Sequence, residues 1–134
     1  MLPLEESVMK ILASVIVGFF IGFSRRHKPA GMRTFALICL GSAIFTIISI
    51  DDLGGDKTRI ISQIVSGIGF LGVGVIWKQG FKLSGLTTAA AIWVTAAVGV
   101  FIGLGFWSEA ALATLVTFAV LVSRKTFEKV QLED

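Results

Sequence analysis

Charge is scarce in this chain: Asp, Glu, Lys and Arg make up 16% of its 134 residues, against roughly 25% in an average soluble domain. With 54% hydrophobic residues and a mean hydropathy of +0.87, that scarcity excludes an ordinary water-soluble globule and indicates membrane composition. Reactive groups are as few. The single cysteine, Cys39, lies in an apolar run, so it forms no intramolecular disulfide and reads as a small buried thiol. The single histidine, His27, lies in the basic string RRHK and reads as an interfacial or solvated group. No nucleophile with a base, paired carboxylates or ligand cluster is evident, so neither an enzyme nor a resident cofactor is expected. The net charge of +3 is not spread as a uniform basic surface, and no nucleic-acid partner is expected.

What is present is apolar runs of bilayer length. They cover 8–23, 34–50 and 60–77, followed by 86–122, where Glu109 is the only charge. The first three approach the roughly 17 to 25 residues of a spanning helix. The fourth is too long for one crossing and divides naturally at Gly103-Leu104-Gly105. The expected fold is therefore an all-α membrane protein, a bundle of five transmembrane helices at about 8–23, 34–50, 60–77, 86–102 and 106–122, forming a single domain over 1–134. A cleaved signal peptide is not expected at the start, because Glu5 and Glu6 stand where a basic cluster would be and no small-residue cleavage site follows Phe23.

Five crossings put the termini on opposite faces. Lys10, Lys57 and Arg59 fall on the N-terminal face; the other nine of the twelve Lys and Arg fall in 24–33, 78–85 and the tail. The positive-inside rule then places the N-terminus outside and the C-terminus in the cytoplasm.

The stretch SGIGFLGVG at 66–74 contains Gly67, Gly69 and Gly72 in the G-x-G-x-x-G order of a dinucleotide loop. That reading needs a preceding strand and a carboxylate about 20 residues on. The chain offers TTAAAIW there instead. On a helix, Gln63, Gly67, Gly74 and Lys78 share one side while Ser62, Gly69 and Gly72 gather nearly opposite. Two small faces favour a third helix sandwiched at the centre of the bundle, with Leu at Gly67 or Gly72 more disruptive than at Val73. The alternative is a loosened helix whose carbonyls line a cation or solute path. Ser14, Gly18 and Gly22 form another seam on the first helix, by default a packing seam and, in a further reading, a docking face for a second copy or a membrane partner. Thr88, Thr95, Gly99 and Gly103 share a side of the fourth; Thr88 is read as structural ahead of ligand-binding.

The blocks GMRTFALICLGSAIF at 31–45, RIISQIVSGIGFLGVGVI at 59–76 and GLTTAAAIWVTAAVGVFIGLG at 85–105 strongly resemble the MgtC/SapB family of bacterial membrane proteins, over nearly the whole sequence. The resemblance implies a five-helix inner-membrane domain associated with growth under magnesium limitation and, in pathogens, with survival inside host cells. Its MgtC member looks like a regulator acting on the F-type ATP synthase. The family motifs fall on Gly31, Arg33 and Thr34, on Arg59, Gln63, Gly67, Gly69, Gly72 and Gly74, and on Gly85, Thr88, Ala89 and Trp93. Many members carry an acidic residue before the arginine ending the first helix, where this chain has Ser24 before Arg25. Larger members continue into a cytoplasmic regulatory domain, so a minimal or truncated version is expected.

Two functions follow as expectations. The first is a regulator working by helix contact with a membrane partner or with itself, favoured by small-residue seams and by the lack of ionisable groups at helix centres. The second is a transporter or channel for Mg²⁺ or another small solute, with Gln63, Ser66 and Thr88 near its path. Asp51, Asp52 and Asp56 surround the turn Gly54-Gly55 and offer oxygen ligands to Mg²⁺. A solvated acidic loop balanced by Lys57 and Arg59 is the simpler reading, since the EF-hand pattern is missing.

Overall fold

A computed structural model describes residues 2–28, 30–50, 57–79 and 82–130. The elements are α1 (Leu4–Phe23), α2 (Met32–Ile50), α3 (Lys57–Gly74), β1 (Trp77–Gln79), β2 (Lys82–Ser84), α4 (Leu86–Leu104) and α5 (Trp107–Val130). The short antiparallel hairpin pairs Trp77 with Ser84 and Gln79 with Lys82. The apolar run predicts a third helix to 77 and a loop over 78–85, where the hairpin stands. Helix α3 instead ends at Gly74, three residues before β1.

Local chemistry sets the helix ends. Pro3, at φ −55° and ψ 140°, precedes α1, and Glu5 and Glu6 place negative charge in its first turn, complementing the helix dipole. At the end of α4, Gly105 takes φ 82°. Its N–H donates to the Ile102 carbonyl at 3.0 Å and the Phe106 N–H to the Phe101 carbonyl at 2.9 Å, the two bonds of a Schellman motif. The rings of Phe101 and Phe106 stand 6.5 Å apart, supplying the apolar contact that accompanies it. This turn breaks the long apolar run. At the other end of α4, Gly85 has φ 93°, and a Cβ there would collide with the carbonyl oxygen of Val75. Only glycine lets the hairpin bring the chain back so close to the end of α3.

The centre of the bundle is α2, not α3, which corrects the expectation from the glycine count. From one side, a Cβ on Gly18 would lie 2.6 Å from the Ala36 Cα, and one on Gly22 would lie 2.7 Å from the Met32 Cα. From another, a Cβ on Gly99 would strike the Cys39 carbonyl, and one on Gly103 would lie 2.5 Å from the Thr46 Cβ. The glycines therefore belong to α1 and α4, and the helix they grip is their common neighbour. In lipid such close backbone approach replaces the water-driven packing of a soluble core. Phe35, Cys39 and Ala43 of α2 are fully buried, as are Val98 of α4 and Ile21 of α1. Hydroxyls in these seams bond their own helices: Thr46 to Ser42 and Thr95 to Ala91, each at 2.7 Å. Helix α5 reaches α1 through the stacked rings of Phe20 and Phe118, 4.5 Å apart.

The outward surfaces are apolar. Phe70 is 83% exposed and Val73 70%, a surface compatible with hydrocarbon and not with water. Helices α1, α2 and α4 are long and apolar enough to cross a bilayer, whereas α3 and α5 carry shorter apolar stretches at Thr58–Gly74 and Trp107–Ser123. The protein is thus an all-helical membrane protein apart from its hairpin.

Candidate functional site

The α3 glycines do not pack as expected. A Cβ on Gly67, Gly69 or Gly74 would find nothing within 4 Å among the described residues, and only Gly72 meets a neighbour, 3.7 Å from the Ala89 Cβ of α4. Helix α3 leans on α4 at Gly72 and meets α2 less extensively. Between α2 and α3 this leaves a groove of about 840 Å³, walled by Thr34, Leu37 and Phe45 on one side and by Arg59, Gln63 and Leu71 on the other. Two missing side chains open it, because Gly41 on α2 and Gly67 on α3 both line it and neither would touch anything with a Cβ. Most of the lining is apolar. Antiparallel connection of the two helices puts Arg59 and Gln63 toward the Phe45 end and Thr34 toward the Leu71 end.

The α1–α2 turn carries a second depression of about 320 Å³, lined by Arg26, Lys28, Gly31, Met32, Arg33 and Thr34. Arg26 is preset: its guanidinium carbon lies 4.5 Å above the Phe23 ring centroid, and its Nε donates to His27 Nε2 at 3.1 Å. Thr34 lines both depressions.

Of the family-motif polar residues, Arg25 is buried and its guanidinium donates to Thr88 Oγ1 at 3.5 Å, tying the α1–α2 turn to the first turn of α4. This is a structural use of Thr88. Arg33 is exposed and Thr34 half-buried. Arg59 and Thr34 share the groove, whereas Arg25 belongs to the tie with α4. Asp51, Asp52 and Asp56 lie outside the described residues. Among the described residues no group of three His, Cys, Asp or Glu could hold a metal ion.

Sequence reading missed the role of Lys10. It was counted with the loop cations, but it is only 2% exposed and pairs with Glu6 Oε1 at 2.7 Å. Its Cε and Nζ each lie 3.7 Å from where a Gly105 Cβ would stand. The ammonium thus reaches the C-terminal turn of α4, where the helix dipole favours positive charge. The legible signal was the E-x-x-x-K spacing on an apolar helix, which stacks the two side chains one turn apart.

The seam of Ser14, Gly18 and Gly22 is the packing seam of the default reading, which corrects the further expectation of a docking face. All three residues are buried, and the two glycines are spent against α2.

Glycine-seamed helices, an apolar exterior and a side groove with a guanidinium at one end define a helical membrane protein without a recognisable reaction centre among the described residues. The chain belongs to the MgtC family, which it matches over residues 11–130. It is 47% identical to Protein MgtC of Brucella abortus (strain 2308) over 122 residues, covering 88% of this chain and 51% of that protein. With Protein MgtC of Salmonella typhimurium (strain LT2) it shares 43% identity over 111 residues, 81% of this chain and 48% of the relative. The chain thus spans about half the length of the curated relatives it matches. No solved structure matches it.

Proposed function

We propose that this protein is a non-enzymatic regulator in the inner membrane, linked to adaptation to low magnesium, that works by helix contact with a membrane partner such as the F-type ATP synthase. The observation carrying this reading is a division among its small residues. Gly18, Gly22, Gly99 and Gly103 are used up between α1, α2 and α4, whereas the outer side of α3 presents Ser62, Ser66, Gly69 and Val73, all exposed. The hydroxyls of Ser62 and Ser66 bond the carbonyls of Arg59 and Ser62 at 2.8 and 3.3 Å, so they place no unmet polar demand on a neighbour. A second helix can approach such a surface closely. A second copy of the chain is the other occupant of the same face.

Transport of Mg²⁺ fits less well. The groove containing Gln63 and Gly67 opens sideways, is mainly apolar and has a guanidinium at one end. Mg²⁺ asks for octahedral oxygen and retained water. The orientation adopted here has the N-terminus outside and the C-terminus inside, supported by the nine-to-three division of basic residues. A photo-crosslinking side chain at Gly69 should trap a specific partner in cells under magnesium limitation, with a control at Leu112 of α5 trapping none. Absence of a specific adduct at Gly69, together with Mg²⁺ flux in proteoliposomes abolished by Gln63→Ala, would replace the regulator with the transporter.

A further inference from the structure

The groove and the basic depression meet at Thr34, and their chemistries are complementary halves of one amphiphile. We propose that together they form a site for one anionic glycerophospholipid, with the phosphate among Arg26, Lys28 and Arg33 and an acyl chain along the α2–α3 groove. The depression has three cationic lining residues and no carboxylate among its lining residues, so it distinguishes an anionic headgroup from a zwitterionic one. Arg26 is already held over Phe23, which reduces the ordering needed when the ligand arrives.

The dimensions agree with this occupant. From Thr34 to Phe45 the groove follows eleven helical steps, about 16 Å at 1.5 Å per residue. Half of a hydrocarbon core about 30 Å thick is about 15 Å. A chain whose headgroup lies at the α1–α2 turn therefore reaches the inner end of the groove from its own leaflet. The groove is open to the side, and at about 840 Å³ it has space for the one acyl chain placed in it. A soluble phosphate would use only the basic half and leave the apolar half unexplained. The site lies on a different side of α3 from Ser62, Ser66 and Gly69, so it does not depend on the contact reading above.

The test is retention of phosphatidylglycerol against phosphatidylcholine by the full chain, exchanged into detergent and read by native mass spectrometry after titration with each lipid. Phosphatidylglycerol should be retained about tenfold more strongly, and each of Arg26→Gln, Lys28→Gln and Arg33→Gln should lower its retention by about fivefold. Gly41→Leu with Gly67→Leu fills the groove where no neighbour stands within 4 Å, and should lower retention of phosphatidylglycerol without lowering the melting temperature. Equal retention of the two lipids would overturn the site. So would a groove-filled variant that folds and retains phosphatidylglycerol unchanged, or displacement of the lipid by glycerol 3-phosphate at equal concentration, either of which would reduce the site to a surface for anions.

Discussion

Gly18→Ala and Gly67→Ala are the same chemical change in helices of the same protein, and they should have opposite effects. At Gly18 the new methyl would lie 2.6 Å from the Ala36 Cα, 2.7 Å from the Phe35 carbonyl oxygen and 3.0 Å from the Ala36 nitrogen. All three are backbone atoms, so no rotamer change relieves the overlap. Restoring contacts to the 3.4 Å lower edge of ordinary van der Waals approach requires the α1–α2 seam to open by up to about 0.8 Å locally. Overpacking of this kind costs about 1–3 kcal/mol, and the helix preference of alanine over glycine returns up to about 1 kcal/mol. With backbone atoms at each contact the overpacking cost dominates, and a net loss of up to about 2 kcal/mol follows after the full propensity return. At Gly67 nothing lies within 4 Å, so only the propensity gain remains, up to about 1 kcal/mol. Unfolding in mild detergent, followed by helicity against temperature or added SDS, reads both variants beside the wild type. A Gly18→Ala protein as stable as wild type, or a Gly67→Ala protein destabilised as much as Gly18→Ala, would refute the assignment of α2 as the gripped helix.

Three further outcomes are expected. Gly85→Ala should be far more damaging than Gly105→Ala in the same assay: both residues have positive φ, costing about 1–2 kcal/mol for a side chain, but only Gly85 also meets backbone, at Val75, while Gly105 faces the flexible end of Lys10. Glu6→Gln leaves the buried Lys10 ammonium without its carboxylate and should cost about 1–3 kcal/mol, most of it recovered when Lys10→Met is added; a thermal cycle over the four proteins measures the coupling. In intact cells, an impermeant thiol reagent should label Ser108→Cys and not Lys28→Cys, with native Cys39 silent because it is fully buried, and the reverse pattern would invert the orientation.

Composition and periodicity by themselves determined that this is a membrane protein built on five helices, though not that a hairpin joins the third to the fourth. Apolar length and the scarcity of charge are properties of each segment, read without knowing its neighbours. The break before the fifth helix was legible at 103–105 for the same reason, since a left-handed glycine cap is a local device. The family was legible because three blocks keep their order and spacing. Which seam meets which helix was decided only by tertiary structure. Ser14, Gly18 and Gly22 look as available for docking as Ser62, Ser66 and Gly69 when each is drawn on a helical wheel. A wheel gives the direction of a face and not its occupant, and α2 occupies the first while no described element covers the second. The buried Lys10 likewise depended on the end of α4 arriving beside it, and the union of groove and basic depression depended on α2 and α3 diverging around Gly41 and Gly67. Small residues permit close approach without compelling it, so the chain has to fold before its glycines separate into contacts and openings.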